Sequence, residues 1–317
     1  MEGKRLAPFR LAPWFSERPW GRMDLRPWYE ATGAAGPVGE AWLTGPESVV
    51  ESGPETGRTL AAVAAEAGEA LLGACGCAEF PLLVKLLFPS DKLSVQVHPD
   101  DAHAQAMGQP RGKTECWYVL EAEAGARIGL GLKPGASTVG VRMAIEDGTL
   151  EKMMEWVPVQ VGDMVFVDAG TVHAIGPGVV LLETQQTSDI TFRMYDYGRP
   201  RELHVEQALK VMKTETAAGK VKPVAMDGAG SGFVRLNAQK YFVVDRYDIA
   251  AGREAVIPVA EAGCLVGIGG AAVVQTAGAA GVELPRGKAV VVPADCGSVT
   301  VRSSAGASLV RCFAPAN

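Results

Sequence analysis

The chain has 317 residues, 48% apolar and 21% charged, a balance that excludes a largely disordered or fibrous polymer and asks for one long domain or two of ordinary size. Its formal charge of −6 speaks against a nucleic-acid coat, and no apolar run reaches the roughly 20 residues of a bilayer span. The expectation is a cytoplasmic protein with no nucleic-acid or membrane partner, because the opening MEGKRLAPFRLAPWF breaks any signal-like apolar stretch with proline and arginine; nothing in the sequence fixes an oligomeric state.

In chain order, 38 glycines and 20 prolines cut the sequence into short apolar segments, the pattern of a mainly β protein with a few short helices. A first helix is predicted over TLAAVAAEAGEALL from Thr59, where Leu60, Val63, Ala67 and Leu71 share a face. Cys75 and Cys77 follow beside glycines. Six scattered cysteines suit reduced thiols, so this C-x-C reads as a loop, with metal binding as its alternative. Strands are predicted at LLVKLLF from Leu82, KLSVQV from Lys92, TECWYVL from Thr114 and ARIGL from Ala126. Between the second and third, Asp100 and Asp101 read as N-caps of a short surface helix carrying His103. EDGTLEKMMEW from Glu146 is a second helical candidate, followed by strands DMVFV from Asp163, VVLLETQQ from Val179 and ITFRMYDY from Ile190. ELHVEQALKVM from Glu202 is the third helix, with His204 in a structural role.

The polar stretch 214–232 reads as a linker, dividing a first domain, 1–213, from a strand-rich second one, 233–317. Within the second, GKAVVVPADCGS from Gly287 resembles GDMVFVDAGTVH from Gly162, and Ser298 falls where His173 stands. This reads as a weak internal repeat whose first copy can hold a metal and whose second cannot; chance likeness of two β-hairpins is the alternative.

Only four histidines exist, so any imidazole site draws on His98, His103, His173 and His204. Strand alternation puts Ser94, Gln96 and His98 on one face, with Val95 and Val97 opposite. It likewise puts Glu115 with Trp117 and Val119, and a glutamate in such company must be paired, protonated or metal-bound if it is buried. The Ala169-Gly170 turn leaves His173 just after a bend, within reach of a barrel mouth. Gln96, His98, Glu115 and His173 would offer two imidazoles, a carboxylate and an amide oxygen, a set suited to zinc or a similar divalent ion with room for water or a substrate oxygen.

SVQVHPDD, GKTECWYVL, the AGTVHAIG turn and ITFRMYDYGR, in this order and spacing, resemble the type I mannose-6-phosphate isomerases in their short bacterial form, a zinc-dependent group within the cupin superfamily. The similarity extends through WFSERPWG from Trp14, GEAW from Gly39, FPLLVKLL from Phe80 and the RELHVEQAL helix, covering most of residues 1 to 212. The last hundred residues resemble the family only in general pattern. General cupins present a His-x-His pair, whereas Gln-x-His with Glu115 well downstream matches this family.

The resemblance implies cupin-type jelly-roll barrels, the second degenerate and without metal ligands. It implies one zinc per chain on Gln96, His98, Glu115 and His173, active-site positions at Lys113, Glu183 and Arg193, and phosphate positions at Ser94 and Arg199. Two departures stand out: Gly112 and Ile175 replace a histidine and an aromatic of longer relatives.

The implied reaction interconverts mannose 6-phosphate and fructose 6-phosphate through a cis-enediol. It needs an electrophile, a base and cations for the phosphate, for which Arg193, Arg199, Lys85 and Lys113 are available. Glu183, alone in an apolar strand, is a candidate base because burial raises a carboxyl pKa; a partner to Arg193 or a zinc ligand is the alternative reading. Lys85 also has a plainer reading, as a rim lysine with its stem along the barrel. Other functions weighed are a cupin isomerase or epimerase for another sugar, a non-catalytic phosphosugar-binding cupin, and an iron dioxygenase, which the glutamine disfavours.

Overall fold

A computed structural model describes residues 6–227 and 232–316. Residues 1–5 of the opening stretch and 228–231 of the expected linker lie outside the described residues. The chain is mainly β, as its punctuation by glycine and proline foretold, and among the described residues no helix is long and apolar enough to cross a membrane.

Two antiparallel sheets form the first barrel. One runs, edge to edge, through Gly219–Val221, Met164–Val167, Glu115–Ala122, Val179–Gln186, Leu82–Leu87, Val38–Trp42 and Trp14–Arg22. The other runs through Phe192–Tyr195, Val95–Val97, His173–Ile175, Arg127–Leu132 and Met154–Pro158. Period-two alternation divides each strand between two environments. In Glu115–Ala122, Trp117 and Val119 face inward with Trp20, Leu87, Ile128, Val165 and Ile175, while Cys116 and Tyr118 face outward. Val95 and Val97 point away from the barrel interior, onto an apolar layer under the helices Thr138–Glu146 and Val205–Val211, so Gln96 between them is free to face inward.

The second barrel is built on an eleven-stranded sheet, and two short N-terminal strands join it: Phe9–Leu11 pairs with Ala289–Val292, and Val50–Ser52 pairs with Phe9–Leu11. Between the barrels lies a continuous apolar layer, in which Val84, Leu86, Cys116, Tyr118 and Leu182 meet Leu236, Phe242, Val266, Val291 and Val310. Each such side chain, once removed from water, contributes about 1.5–3 kcal/mol. Packing of this extent holds the two barrels against one another.

Several local expectations need correction. The helix from Thr59 begins as expected, with Thr59 capping the Ala62 N–H, but it divides into Leu60–Ala67 and Glu69–Leu72 at Gly68. The helix expected from Glu146 is displaced upstream to Thr138–Glu146, capped by Ser137. Only a 3-10 turn, Leu150–Met153, follows, because Met154–Pro158 is drawn into a strand beside Arg127–Leu132. The linker contains two short strands, Gly219–Val221 on the first barrel and Val224–Met226 on the second. Cys75 and Cys77, expected as reduced thiols, are joined in a disulfide with Cα atoms 5.3 Å apart, a turn made possible by the positive φ of Gly76. Cys116, Cys264, Cys296 and Cys312 are buried and not so joined.

Candidate functional site

Strand register assembles the site. His173 lies opposite Gln96, and Gln96 lies opposite Arg193 on its other side, so three neighbouring strands present these side chains side by side. In the facing sheet, Glu183 lies between Lys85 and Trp117, and Glu115 stands opposite Gln185 and Val167. Lys85 is only 3% exposed, so the rim position considered for it gives way to a buried one. Of these side chains, Gln96, Arg193, Glu183 and Lys85 line a cavity of about 470 Å³, together with Ser94, Lys113, Arg18, Trp20, Glu40, Asp189 and Arg201.

His98, Glu115 and His173 are buried, and their donor atoms all lie within 4.8 Å of one another. Two backbone carbonyls fix both imidazoles. His98 Nδ1–H donates to Ile190 O at 2.8 Å and His173 Nδ1–H to Thr171 O at 2.9 Å, which leaves each Nε2 lone pair aimed at Glu115. Glu115 Oε1 is 3.5 Å from His173 Nε2 and, although fully buried, finds no hydrogen-bond donor among the described residues. Its other oxygen, 3.6 Å from His98 Nε2, accepts a short hydrogen bond from Lys113 Nζ. Gln96 lies beside the group with its amide nitrogen 3.2 Å from His173 Nε2 and its Oε1 3.5 Å from Ser94 Oγ, so ligation through the oxygen asks the amide to turn over.

Burial keeps these imidazoles neutral, because it penalises the charged ring: His173 is pushed down to about 4, and His98 is held well below the ordinary imidazole value, with the charge of Lys113 acting on both in the same direction. Neutral rings with carbonyl-fixed tautomers, around a buried carboxylate oxygen lacking a donor, have the chemistry of a divalent-cation site and fit a metal.

Lys113 and Glu183 are the next ring outward. Burial alone would lower the Lys113 pKa, but the carboxylates of Glu115 and Glu183 more than offset it, so the amine is held as ammonium, 3.1 Å from His98 Nε2. Glu183 is pushed upward, chiefly by burial and in part by Glu115, against the opposing pull of Lys113 and Lys85. Its Oε2 accepts from Trp117 Nε1 at 3.1 Å, and Oε1 is 3.8 Å from Lys85 Nζ and 4.0 Å from Lys113 Nζ. Lys85 is enclosed by Glu40, Glu183 and Asp189 and sits 4.3 Å from the Trp42 ring centroid.

Gly112 shows why no side chain stands before Lys113: a Cβ there would collide with the Pro99 carbonyl and the Asp100 backbone. Arg193 lies on the cavity wall. Its backbone N–H donates to His204 Nδ1, its Nη1 donates to the Glu202 carbonyl at 2.7 Å, and its buried Nε has no acceptor. His204 thus supports Arg193 from behind, and His103 is at the surface, bound to the helix-capping Asp100. Asp101 does more than begin that helix, accepting from Gly112 N, Gln186 Nε2 and Tyr241 OH of the second barrel.

Arg199 does not reach the cavity wall. Its guanidinium donates to the carbonyls of Lys92 and Asp196 and lies beside the Tyr197 ring. Two cations absent from the sequence reading take wall positions instead, Arg18 and Arg201. The WFSERPWG segment contained the first, but its alternation gave no reason to single out one charge among several.

A family model, phosphomannose isomerase type I, catalytic domain, matches residues 9–125. Mannose-6-phosphate isomerase of Streptococcus mutans is 36% identical over 253 residues, covering 77% of this chain and 79% of its own length. Mannose-6-phosphate isomerase ManA of Bacillus subtilis is 38% identical over 217 residues, 65% of this chain and 68% of its own. The crystal structure of a Bacillus subtilis mannose 6-phosphate isomerase superimposes with a TM-score of 0.87 at 30% identity, over 97% of this chain and 99% of that one.

Proposed function

This chain belongs to the type I phosphomannose isomerases and is an isomerase with a cupin fold, and from that premise we propose that it interconverts mannose 6-phosphate and fructose 6-phosphate through a cis-enediol, with one zinc ion per chain. The observation that carries the reading is the convergence of His98, Glu115 and His173 beside Gln96 and Lys113, which themselves line a cavity with Glu183 and Arg193.

The metal would be held by Gln96, His98, Glu115 and His173, and when bound it supplies Lewis acidity toward the sugar's carbonyl and hydroxyl oxygens. The rest falls to the side chains. Isomerisation moves a proton from carbon 2 to carbon 1 while the two oxygens exchange carbonyl and hydroxyl character. Glu183 takes the carbon-bound proton, since its raised pKa brings it nearer to the working range of a general base than an exposed carboxylate. Lys113, held as ammonium, gives a proton to the carbon-1 oxygen as it gains negative charge and takes one back from the carbon-2 hydroxyl as that becomes the carbonyl, while Arg193 stabilises the same charge from the opposite sheet. Glu183 then returns the proton to carbon 1. Trp117 keeps the Glu183 carboxyl oriented throughout by its Nε1–H.

The test is direct. Purified protein should convert mannose 6-phosphate to fructose 6-phosphate, lose activity to a chelator, and regain it with zinc. Metal-loaded protein inactive toward every phosphorylated hexose would contradict the reading.

A further inference from the structure

We propose that Arg201 and Arg18, rather than Arg199, clamp the phosphate of the substrate; this rests on the phosphosugar reading above. An anionic group entering the cavity meets the side chains on its wall, and the guanidinium groups there are Arg18, Arg193 and Arg201. They come from three places: Arg18 from the strand Trp14–Arg22, Arg193 from Phe192–Tyr195, and Arg201 from the segment after it. They are close enough that Arg201 and Arg18, after burial, push the Arg193 pKa down. Mutual repulsion among guanidinium groups is a cost that a bound dianion relieves.

Arg18 and Arg201 are each fixed along one edge by a carboxylate, Glu40 on the cavity wall and Asp196 buried behind it. Arg201 presents Nε and Nη2 to the buried Asp196 at 2.6 and 2.7 Å, which leaves Nη1 for the cavity side. Arg18 holds Glu40 with Nε at 2.9 Å and Nη2 at 3.4 Å, and its Nη1 rests on the exposed carbonyl of Glu17 at 3.3 Å, a contact that a bound anion would replace. A guanidinium anchored on one edge is preorganised to donate from the other, and that is the geometry that favours arginine over lysine for phosphate. Lys85 faces Glu40, Glu183 and Asp189, and Lys113 faces Glu115 and Glu183, whereas Arg18 and Arg201 are each paired with a single carboxylate, so the two lysines are the poorer hosts for a further anion. Arg199 places Nε and Nη2 on the Asp196 and Lys92 carbonyls, and although its buried Nη1 keeps a donor, the side chain stands off the cavity wall that an entering anion meets.

Steady-state kinetics on the zinc-loaded enzyme test this. Arg201→Gln and Arg18→Gln should each raise KM for mannose 6-phosphate about tenfold or more, with kcat within about threefold, and weaken competitive inhibition by inorganic phosphate by the same factor. Arg201→Lys should retain part of the binding, and Arg142→Gln, on an exposed ion pair with Glu206, should change nothing. Because Arg201→Gln strips a partner from buried Asp196 and could disturb folding, Arg18→Gln and Arg201→Lys carry the test if it does. KM and phosphate inhibition within about twofold of the parent in both Arg18→Gln and Arg201→Gln would overturn the clamp, as would a tenfold effect confined to Arg199→Gln. Should the parent not turn over any hexose phosphate, the functional reading fails separately. Inorganic phosphate would then probe the clamp by thermal shift: a shift abolished in Arg18→Gln supports it, and an unchanged shift refutes it.

Discussion

The two barrels of this chain are built from similar parts and do opposite things with their interiors. In the first, Met164–Val167 leads through a tight turn to His173–Ile175. In the second, Ala289–Val292 leads through a turn to Ser298–Val299 at the head of the strand Ser298–Ser303. The likeness read from the segments at Gly162 and Gly287 is therefore a likeness of strand and turn. At the matching position the first barrel has a buried imidazole and the second an exposed serine. The first encloses a cavity of about 470 Å³ walled by charged and polar groups, while the comparable space in the second is about 10 Å³ and the interior is filled by Ile257, Leu265, Val274, Val299, Val301 and Leu309. A barrel can keep buried charges only where each has a partner; the second keeps Asp245 with Arg235 and Arg311 with Glu261 and fills the rest of its interior with apolar packing.

Substitutions sharpen this contrast, beginning with the largest effect. Glu115→Gln or His173→Ala should lower kcat/KM by roughly a thousandfold or more with loss of bound metal, whereas Ser298→Ala, at the matching place, should leave both within about twofold. Steady-state rates alongside metal content decide it. Glu183→Gln should reduce kcat by about a hundredfold to a thousandfold while metal content stays at the parental level. Retained turnover would shift the base role to another group.

Leu265→Ala in the second barrel should cost about 2–5 kcal/mol in denaturant unfolding, by lost transfer free energy and the cavity left behind, with kcat per folded molecule unchanged. A fall in kcat would show that the second barrel takes part in the chemistry. The smallest effect is in pH. His173 in the folded, metal-free chain titrates near 4, below the 6.5 of an exposed imidazole, and His98 is depressed too. Below 6.5 the unfolded chain takes up protons the native chain refuses. Stability of the metal-free protein should therefore fall as pH drops from 6.5 toward 4, by on the order of 1 kcal/mol per unit from His173 with His98 acting in the same direction, and it should show no such slope above 6.5. His173→Gln should flatten that slope.

What the sequence disclosed, and what it withheld, follow from the range of the forces involved. Strand alternation is local, so it correctly placed Gln96 apart from Val95 and Val97, and Glu115 with Trp117 and Val119. The strand Val179–Gln186 matched its expected span. The helix at Thr138–Glu146 was hidden because Val139, Gly140 and Val141 are weak helix formers, and capping plus burial against the sheet decide the matter instead. Which cations reach the cavity was hidden as well. Arg199 and Arg201 are two residues apart, and only the buried Asp196, with Lys92 brought alongside from a distant strand end, turns one inward and holds the other away. The joining of Phe9–Leu11 to the second barrel is a pairing across most of the chain's length, with no local trace.

The central claim is that one barrel holds the metal and the chemistry together. Its most direct measurement is zinc content and mannose 6-phosphate turnover in the same preparations, as metal is stripped and restored. The account predicts that activity rises in proportion to zinc up to about one ion per chain and that Glu115→Gln abolishes both. Full turnover in the stripped chain, or zinc bound equally well by Glu115→Gln, would contradict it.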